Sequence, residues 1–450
     1  MYSAATARTS RTTNYQPKQT DRTPAPPEAL EYRPPQSHWS WCHVHRSQAG
    51  GFLPRGFAAG RPRPQYRVLL VTLPRPLTGP IGRALLELAA PDGPDDGSSV
   101  KTALERGHLD ELSALVFQHR LDAPFVDVLR RIGAQVPDGH LARIADNRVS
   151  RMRTYATLVD VAAILDDIEV DWVVVKGPVV ANRMRHPEHR ASHDLDVVVV
   201  GTHFGRSIDG LIASGAIELN RNWAAYVRHE VGEVPLRFGG VPIDLHWSLV
   251  GLGAVRRSML LPTDAMVRRR DRVELNGRVN VSVLSAVDEI LHLCLHSALS
   301  GANGLDHLRD IAVTAGAHPD LDWDVLAHRA RSALVAPLVA HALDRATNVL
   351  AAPIPRRTVE QMGGTSLRIG RWIDSTGTPD RPVLRGVHVK SARNSTAARW
   401  KARRTLAHGE LTRRISPNQT WDFANQHSVL YQDTDAGGAE ARQTFIDLAR

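Results

Sequence analysis

The chain has 450 residues with a formal net charge of +9, and 42% of its residues are hydrophobic but only 5% aromatic. This length supports two or three domains, and the scarcity of aromatics argues for helices packed through Ala, Val and Leu rather than a large β-sandwich. The two cysteines, Cys42 and Cys294, exclude a disulfide framework or a CxxC metal site; no apolar run approaches the ~20 residues of a membrane span and no signal-peptide core opens the chain, so a cytoplasmic protein without a membrane partner is expected.

Residues 1–66 carry most of the basic excess. Arg8, Arg11, Lys18, Arg22, Arg33, Arg46, Arg55, Arg61 and Arg63 face only Asp21, Glu28 and Glu31. The segment is rich in Pro, Gln, Ser and Thr, and it reads as a disordered basic tail. A helical region is expected over 67–150. It opens with the apolar run RVLLVTL at 67–73 and contains a linker, APDGPDDGSS, at 90–99. Leu109, Leu112, Leu115 and Val116 share one helical stripe, and Phe125, Val128 and Leu129 continue it. The pattern predicts helices over 108–119, 124–133, 138–147 and 150–167, the last carrying Leu158, Val161, Ile164 and Leu165.

The period changes in the expected core, 151–250. DWVVVKG at 171–177 and DLDVVVV at 194–200 are short β-branched runs bounded by turn residues, read as buried strands. A short helix is expected from Pro178 to Arg185, a second from His203 to Ser214, and further strands over 216–247. A C-terminal helical region follows over 251–355, and 356–450 is a weakly patterned basic tail. The arginines 268–270 and 272 read as a solvated turn.

Chemistry concentrates in residues 173–200. Asp194 and Asp196 stand two apart at a strand start. Side chains so spaced share a face, with Cα atoms ~6.5–7 Å apart, and can converge on two magnesium ions ~3.5–4 Å apart. In VPIDLHWSL, Val241, Ile243, Leu245 and Trp247 alternate with Asp244 and His246. Asp244 on a neighbouring strand can complete the metal set, and it can also take a proton from an attacking hydroxyl. His246 reads as a hydrogen-bonding structural histidine. Lys176 and Gly177 precede the short helix, a place suited to phosphate, with Arg190 nearby either as a second phosphate cation or as a loop-orienting partner of a carboxylate. Only five residues of the chain are lysine against 51 arginines, and none but Lys176 lies between Lys101 and Lys390. A compact ammonium at this turn has a physical reason that a random basic surface position lacks. His292 and His296, at i and i+4 with Glu289 one turn before, have a spacing that can bind zinc, although a packing role fits them better.

The order Lys176-Gly177, helix, HPEHRASHDLDVVVV, PIDLHWSL resembles the uncharacterised nucleotidyltransferase family of bacterial proteins, within the DNA polymerase β-like superfamily. It is also similar to the nucleotidyltransferase toxins of toxin–antitoxin systems, which share a Lys-Gly turn and an Arg-x-Ser-x-Asp-x-Asp run, here Arg190, Ser192, Asp194 and Asp196. The resemblance spans about 105–350. It implies an α/β (α+β) fold with a small mixed sheet flanked by helices. It implies transfer of a nucleoside monophosphate from a triphosphate such as ATP, with release of pyrophosphate. Asp194, Asp196 and Asp244 would hold Mg2+ or Mn2+, and Lys176, Gly177, Arg190 and Ser192 would meet the nucleotide. The acceptor stays open among a nucleic-acid end, a protein hydroxyl and a small molecule. The superfamily usually has Gly-Ser at the turn; this chain has Gly177-Pro178. That departure favours the alternative, a non-catalytic nucleotide- or partner-binding member of the same fold.

Overall fold

The computed structural model describes residues 79–376, except 252, 278, 301 and 303, and residues 437–450. The expected basic tail at 1–66, the run at 67–73 and much of the C-terminal tail lie outside the described residues.

Seven strands form one mixed sheet in the order β3-β4-β5-β2-β1-β7-β6. They are β1 (Trp172–Val175), β2 (Leu195–Val199), β3 (Ile217–Glu218), β4 (Glu233–Phe238), β5 (Val241–His246), β6 (Asp271–Leu275) and β7 (Val279–Val283). β2 runs parallel to β5 and β1 parallel to β7; the remaining neighbours are antiparallel. The fold is thus the mixed α/β architecture expected, with helices over both faces of the sheet.

Strand alternation sorts the apolar side chains between two cores. Trp172, Val174, Leu195, Val197, Val199, Ile243 and Leu245 point to one face. There they meet α5 (Asp138–Asp167), α7 (Phe204–Ala213) and α8 (Trp223–His229). Val173, Val175 and Val198 point to the other. This second face is covered by α1 (Pro80–Leu88), α2 (Ser98–Glu105), α3 (Leu109–Gln118) and α4 (Asp122–Arg131). From the C-terminal side it is covered by α11 (Ala286–Leu299), α12 (Leu305–Ala317), α13 (Trp323–Ser332), α14 (Ala336–Leu350) and α15 (Arg356–Thr376). Short helices α6 (Gly177–Ala181), α9 (Gly253–Arg256) and α10 (Thr263–Arg268) fill the connections. Among the described residues, no helix is long and apolar enough to cross a membrane.

Three local expectations change. The break expected between 147 and 150 is absent: α5 is one helix of 30 residues. The intervening Asn147-Arg148-Val149 contains neither Gly nor Pro, so nothing there stops helix propagation. Residues 216–247 are not strands throughout, because α8 interrupts them. Its N-terminus is capped by the Asn222 side chain, which accepts from the Ala225 N–H at 3.2 Å. The arginine run is not simply solvated. Arg269 donates to buried Asp288 at 3.0 Å, Arg270 pairs with Asp171 at 2.8 Å and Arg272 with Asp166 at 3.2 Å. It ties the β6 strand to the ends of β1, α5 and α11.

The C-terminal segment also contributes. A last helix, α16 (Gly438–Asp447), packs on α8. Phe445 is fully buried against the rings of Tyr226, Trp223 and Phe204 at 5.1, 5.6 and 5.7 Å. Arg442 donates to Glu218 at 3.0 Å and to Asp209 at 2.9 Å. Truncating a fully buried phenylalanine typically removes about 3–5 kcal/mol. Phe445→Ala should therefore lower the urea midpoint sharply; an unchanged midpoint would mean that α16 is not part of the cooperative core.

Candidate active site

The valine runs of β1 and β2 account for where the charged groups stand. Val197, Val198, Val199, Val173 and Val174 are all fully buried. Each such side chain contributes roughly 1.5–3 kcal/mol of burial, which offsets the repulsion among carboxylates at the strand ends. β2 and β5 pair so that Asp196 stands opposite Asp244, and Val198 opposite His246. β1 presents Val175 opposite Asp196, and β4 presents Glu233 opposite His246. These groups consequently share one face of the sheet.

Asp196, Asp244 and His246 each place a ligand atom within 4.8 Å of the other two. The Lys176 Nζ donates to Asp196 Oδ1 at 2.8 Å. His246 Nε2 lies 3.3 Å from the same oxygen, and its Nδ1 lies 2.9 Å from Glu233 Oε2. β2 begins at Leu195, so Asp194 sits one residue before the strand rather than on it. It nevertheless feels the Asp196 charge and itself acts on Asp244.

The titration of these groups follows their surroundings. Burial pushes the Asp244 carboxyl well above the usual range, and Glu233, Asp194 and Asp196 add to the effect. Burial, then Asp196, raises Asp194. For Asp196 burial acts in the same direction, but the Lys176 ammonium and His246 outweigh it and hold this carboxyl low. Burial opposes the charge on His246, yet Glu233 and Asp196 raise it to about 10, so the ring is an imidazolium at neutral pH. Burial likewise opposes Lys176, and Asp196 overcomes it. Glu233 resists burial through His246 and is lowered. Four carboxyl groups thus gather beside Lys176 and His246, with Arg120 and Arg190 also acting on Asp194. The oxygen donors and the raised Asp244, whose charge a cation would favour, fit a hard divalent cation such as Mg2+. Asp196 and Asp244, whose ligand atoms converge with one of His246 within 4.8 Å, would hold it; Asp194 lies outside that group.

The remaining residues singled out in the sequence fall around this cluster. Arg190 donates from Nε to both oxygens of Asp310 on α12, at 2.9 and 3.1 Å, and from its terminal nitrogens to Asp310 and to the Ala191 carbonyl. Its fork is occupied with holding the loop to α12. Ser192 is buried; its hydroxyl donates to the Asp194 carbonyl at 3.3 Å, and its carbonyl accepts from Ser150 at 2.9 Å. Gly177 is required by close approach, because a Cβ there would stand 2.8 Å from Ser192 Oγ. Overpacking of this kind costs about 1–3 kcal/mol. Gly177→Ala should be destabilised by that order, and adding Ser192→Gly should restore most of the loss; thermal melts of the single and double variants measure it. The helix after Gly177 ends at Ala181, earlier than the expected Arg185.

On α11 His292 is buried and His296 half-buried, their rings 6.3 Å apart, and His296 packs edge-on to His307 at 4.7 Å. They are not among the described groups able to hold a metal. Glu233 escaped the sequence reading. Its signal was the alternation Glu233, Pro235, Arg237 on a strand that precedes Asp244 through a tight Gly239-Gly240 turn.

No curated protein matches the chain. A family model described as an uncharacterised nucleotidyltransferase matches residues 106–351, which include every strand and loop that carries the groups above. The chain belongs to this uncharacterised nucleotidyltransferase family.

Proposed function

We propose that the protein is a metal-dependent nucleotidyltransferase. It transfers a nucleoside monophosphate from a nucleoside triphosphate to an acceptor hydroxyl and releases pyrophosphate. The observation that carries this reading is the in-register pairing of Asp196 with Asp244 on parallel neighbours, with Lys176 on Asp196. A bound Mg2+ would supply charge neutralisation at the reacting phosphate. The chain's own residues do the rest. Asp244, whose carboxyl binds a proton more readily than an ordinary aspartate, takes the acceptor proton. Lys176 exchanges its carboxylate partner for a phosphate oxygen. The Gly177 backbone permits close approach of the phosphates, and Ser192 and Arg190 shape that turn rather than touch the nucleotide. His246, held by Glu233, orients Asp196.

The acceptor is sought by incubating the protein with each α-labelled triphosphate, with and without Mg2+, alone and with RNA or protein fractions of a cell extract. Metal-dependent label on one acceptor class, with stoichiometric pyrophosphate, is the expected result. Metal-dependent triphosphate binding without pyrophosphate release would replace the enzyme by a nucleotide-binding protein.

A further inference from the structure

The loop between α6 and β2 carries a second cluster, unrelated to the carboxylates. It turns through a 3-10 helix, Pro187–His189. The turn brings His186 and His189 together with their rings stacked, centroids 4.9 Å apart and planes 22° from parallel. One ligand atom each from His186, Glu188 and His189 lies within 4.8 Å of the other two. His186 Nδ1 is 3.3 Å from Glu188 Oε1, and His189 Nε2 is 2.8 Å from Asp127 Oδ2 on α4.

We propose that His186, Glu188 and His189 bind a divalent transition metal of the zinc class, with Asp127 holding the His189 ring in place. Two imidazoles with carboxylates form a donor set that favours zinc, cobalt or nickel over magnesium or calcium. Ligand atoms of a four-coordinate zinc stand about 3.3 Å apart, given bonds near 2.0–2.1 Å. The His186–Glu188 separation of 3.3 Å already has this value. The anchor is buried and the closing groups are more exposed. His189 is 4% exposed and its carbonyl accepts from Arg309 at 3.0 Å. His186 and Glu188 have side chains 42% and 52% exposed and can swing onto an ion. The His186 ring lies against Gly93, where a Cβ would stand 3.1 Å from its Cδ2 and where φ is +89°. An ion here would clamp α4 to the loop that continues through Arg190 to Asp194.

The test uses the full chain, stripped with chelator and titrated with zinc and with cobalt(II). We expect about one tight zinc per chain, a visible ligand-field absorption with cobalt, and no competition from millimolar magnesium. His186→Ala and Glu188→Gln should each weaken zinc binding by at least about 10–100-fold. Both remove exposed side chains, so their metal-free melting temperatures should match the parent. Asp244→Asn should bind zinc as the parent does, which separates this site from the carboxylate cluster. Zinc affinity unchanged in both His186→Ala and Glu188→Gln, absence of zinc binding, or binding lost in Asp244→Asn alone overturns the proposal.

Discussion

Asp196→Asn and Asp244→Asn should both abolish nucleotidyl transfer, with losses on the order of 10²–10³-fold or more, yet shift metal-free stability in opposite directions. Asp196 is the partner of Lys176 at 2.8 Å and of His246 at 3.3 Å. Its carboxyl is held low, so the folded state favours its charge. Replacing it leaves a buried ammonium and an imidazolium short of their nearest anion, at a cost of about 1–3 kcal/mol. Asp244 is the reverse case. Burial and three neighbouring carboxylates raise it well above the usual range, so the folded state disfavours its charge. An uncharged amide of the same shape should stabilise the protein by roughly 0.5–2 kcal/mol. Asp194→Asn should share the sign of Asp244→Asn, because burial and Asp196 raise that carboxyl too. Urea denaturation in the presence of chelator, beside a transfer assay with Mg2+, measures both effects. A fall in stability for Asp244→Asn as large as that for Asp196→Asn would show that repulsion among these carboxylates is not what the folded state resists.

The contrast between the two aspartates shows which physical signals a sequence transmits. Strand alternation placed Asp244 and His246 on one face, and the valine runs marked β1 and β2 as buried; these depend on short-range periodicity alone. The in-register match of Asp196 with Asp244 depends on β5 lying parallel beside β2, a long-range pairing that no local pattern states. The same holds for Arg190. Its place before Asp194 left a phosphate contact and a loop-orienting carboxylate pair equally open, and the carboxylate that takes its fork, Asp310, comes from α12 far along the chain. Some structure was legible and passed over. Asn276-Gly277, with φ of 52° and 63°, is the left-handed pair that closes the β6–β7 hairpin. Asn222 is an ordinary helix cap before Trp223. Phe445 belongs to neither kind: its helix is short and weakly amphipathic, and only docking against Trp223 and Tyr226 gives it a place in the core.

Lys176 is the residue where strain, charge and substrate meet, and three substitutions separate them. Its φ of 57° and ψ of −127° lie in a region that glycine tolerates and side chains avoid, at a cost of about 1–3 kcal/mol. Its ammonium is nevertheless buried against Asp196 and held more strongly protonated than usual. The backbone strain is therefore maintained by the ion pair and by the turn into Gly177. Lys176→Ala loses the charge and keeps the strain. Lys176→Gly loses both, and should be more stable than Lys176→Ala by about 1–2 kcal/mol. If the ammonium serves the triphosphate, both variants should lose affinity equally, by roughly 10-fold or more, since a hydrogen bond to a charged group contributes ~1.5–3 kcal/mol. Lys176→Arg should recover only part, because the planar guanidinium needs more room and prefers two-point contacts. Triphosphate affinity with and without Mg2+, set beside thermal melts of the same three proteins, tests each step. Affinity equal to the parent in both Lys176→Ala and Lys176→Gly would make the lysine a purely structural counter-ion of Asp196. The phosphate would then be held by the backbone at Gly177, since the fork of Arg190 is already taken by Asp310.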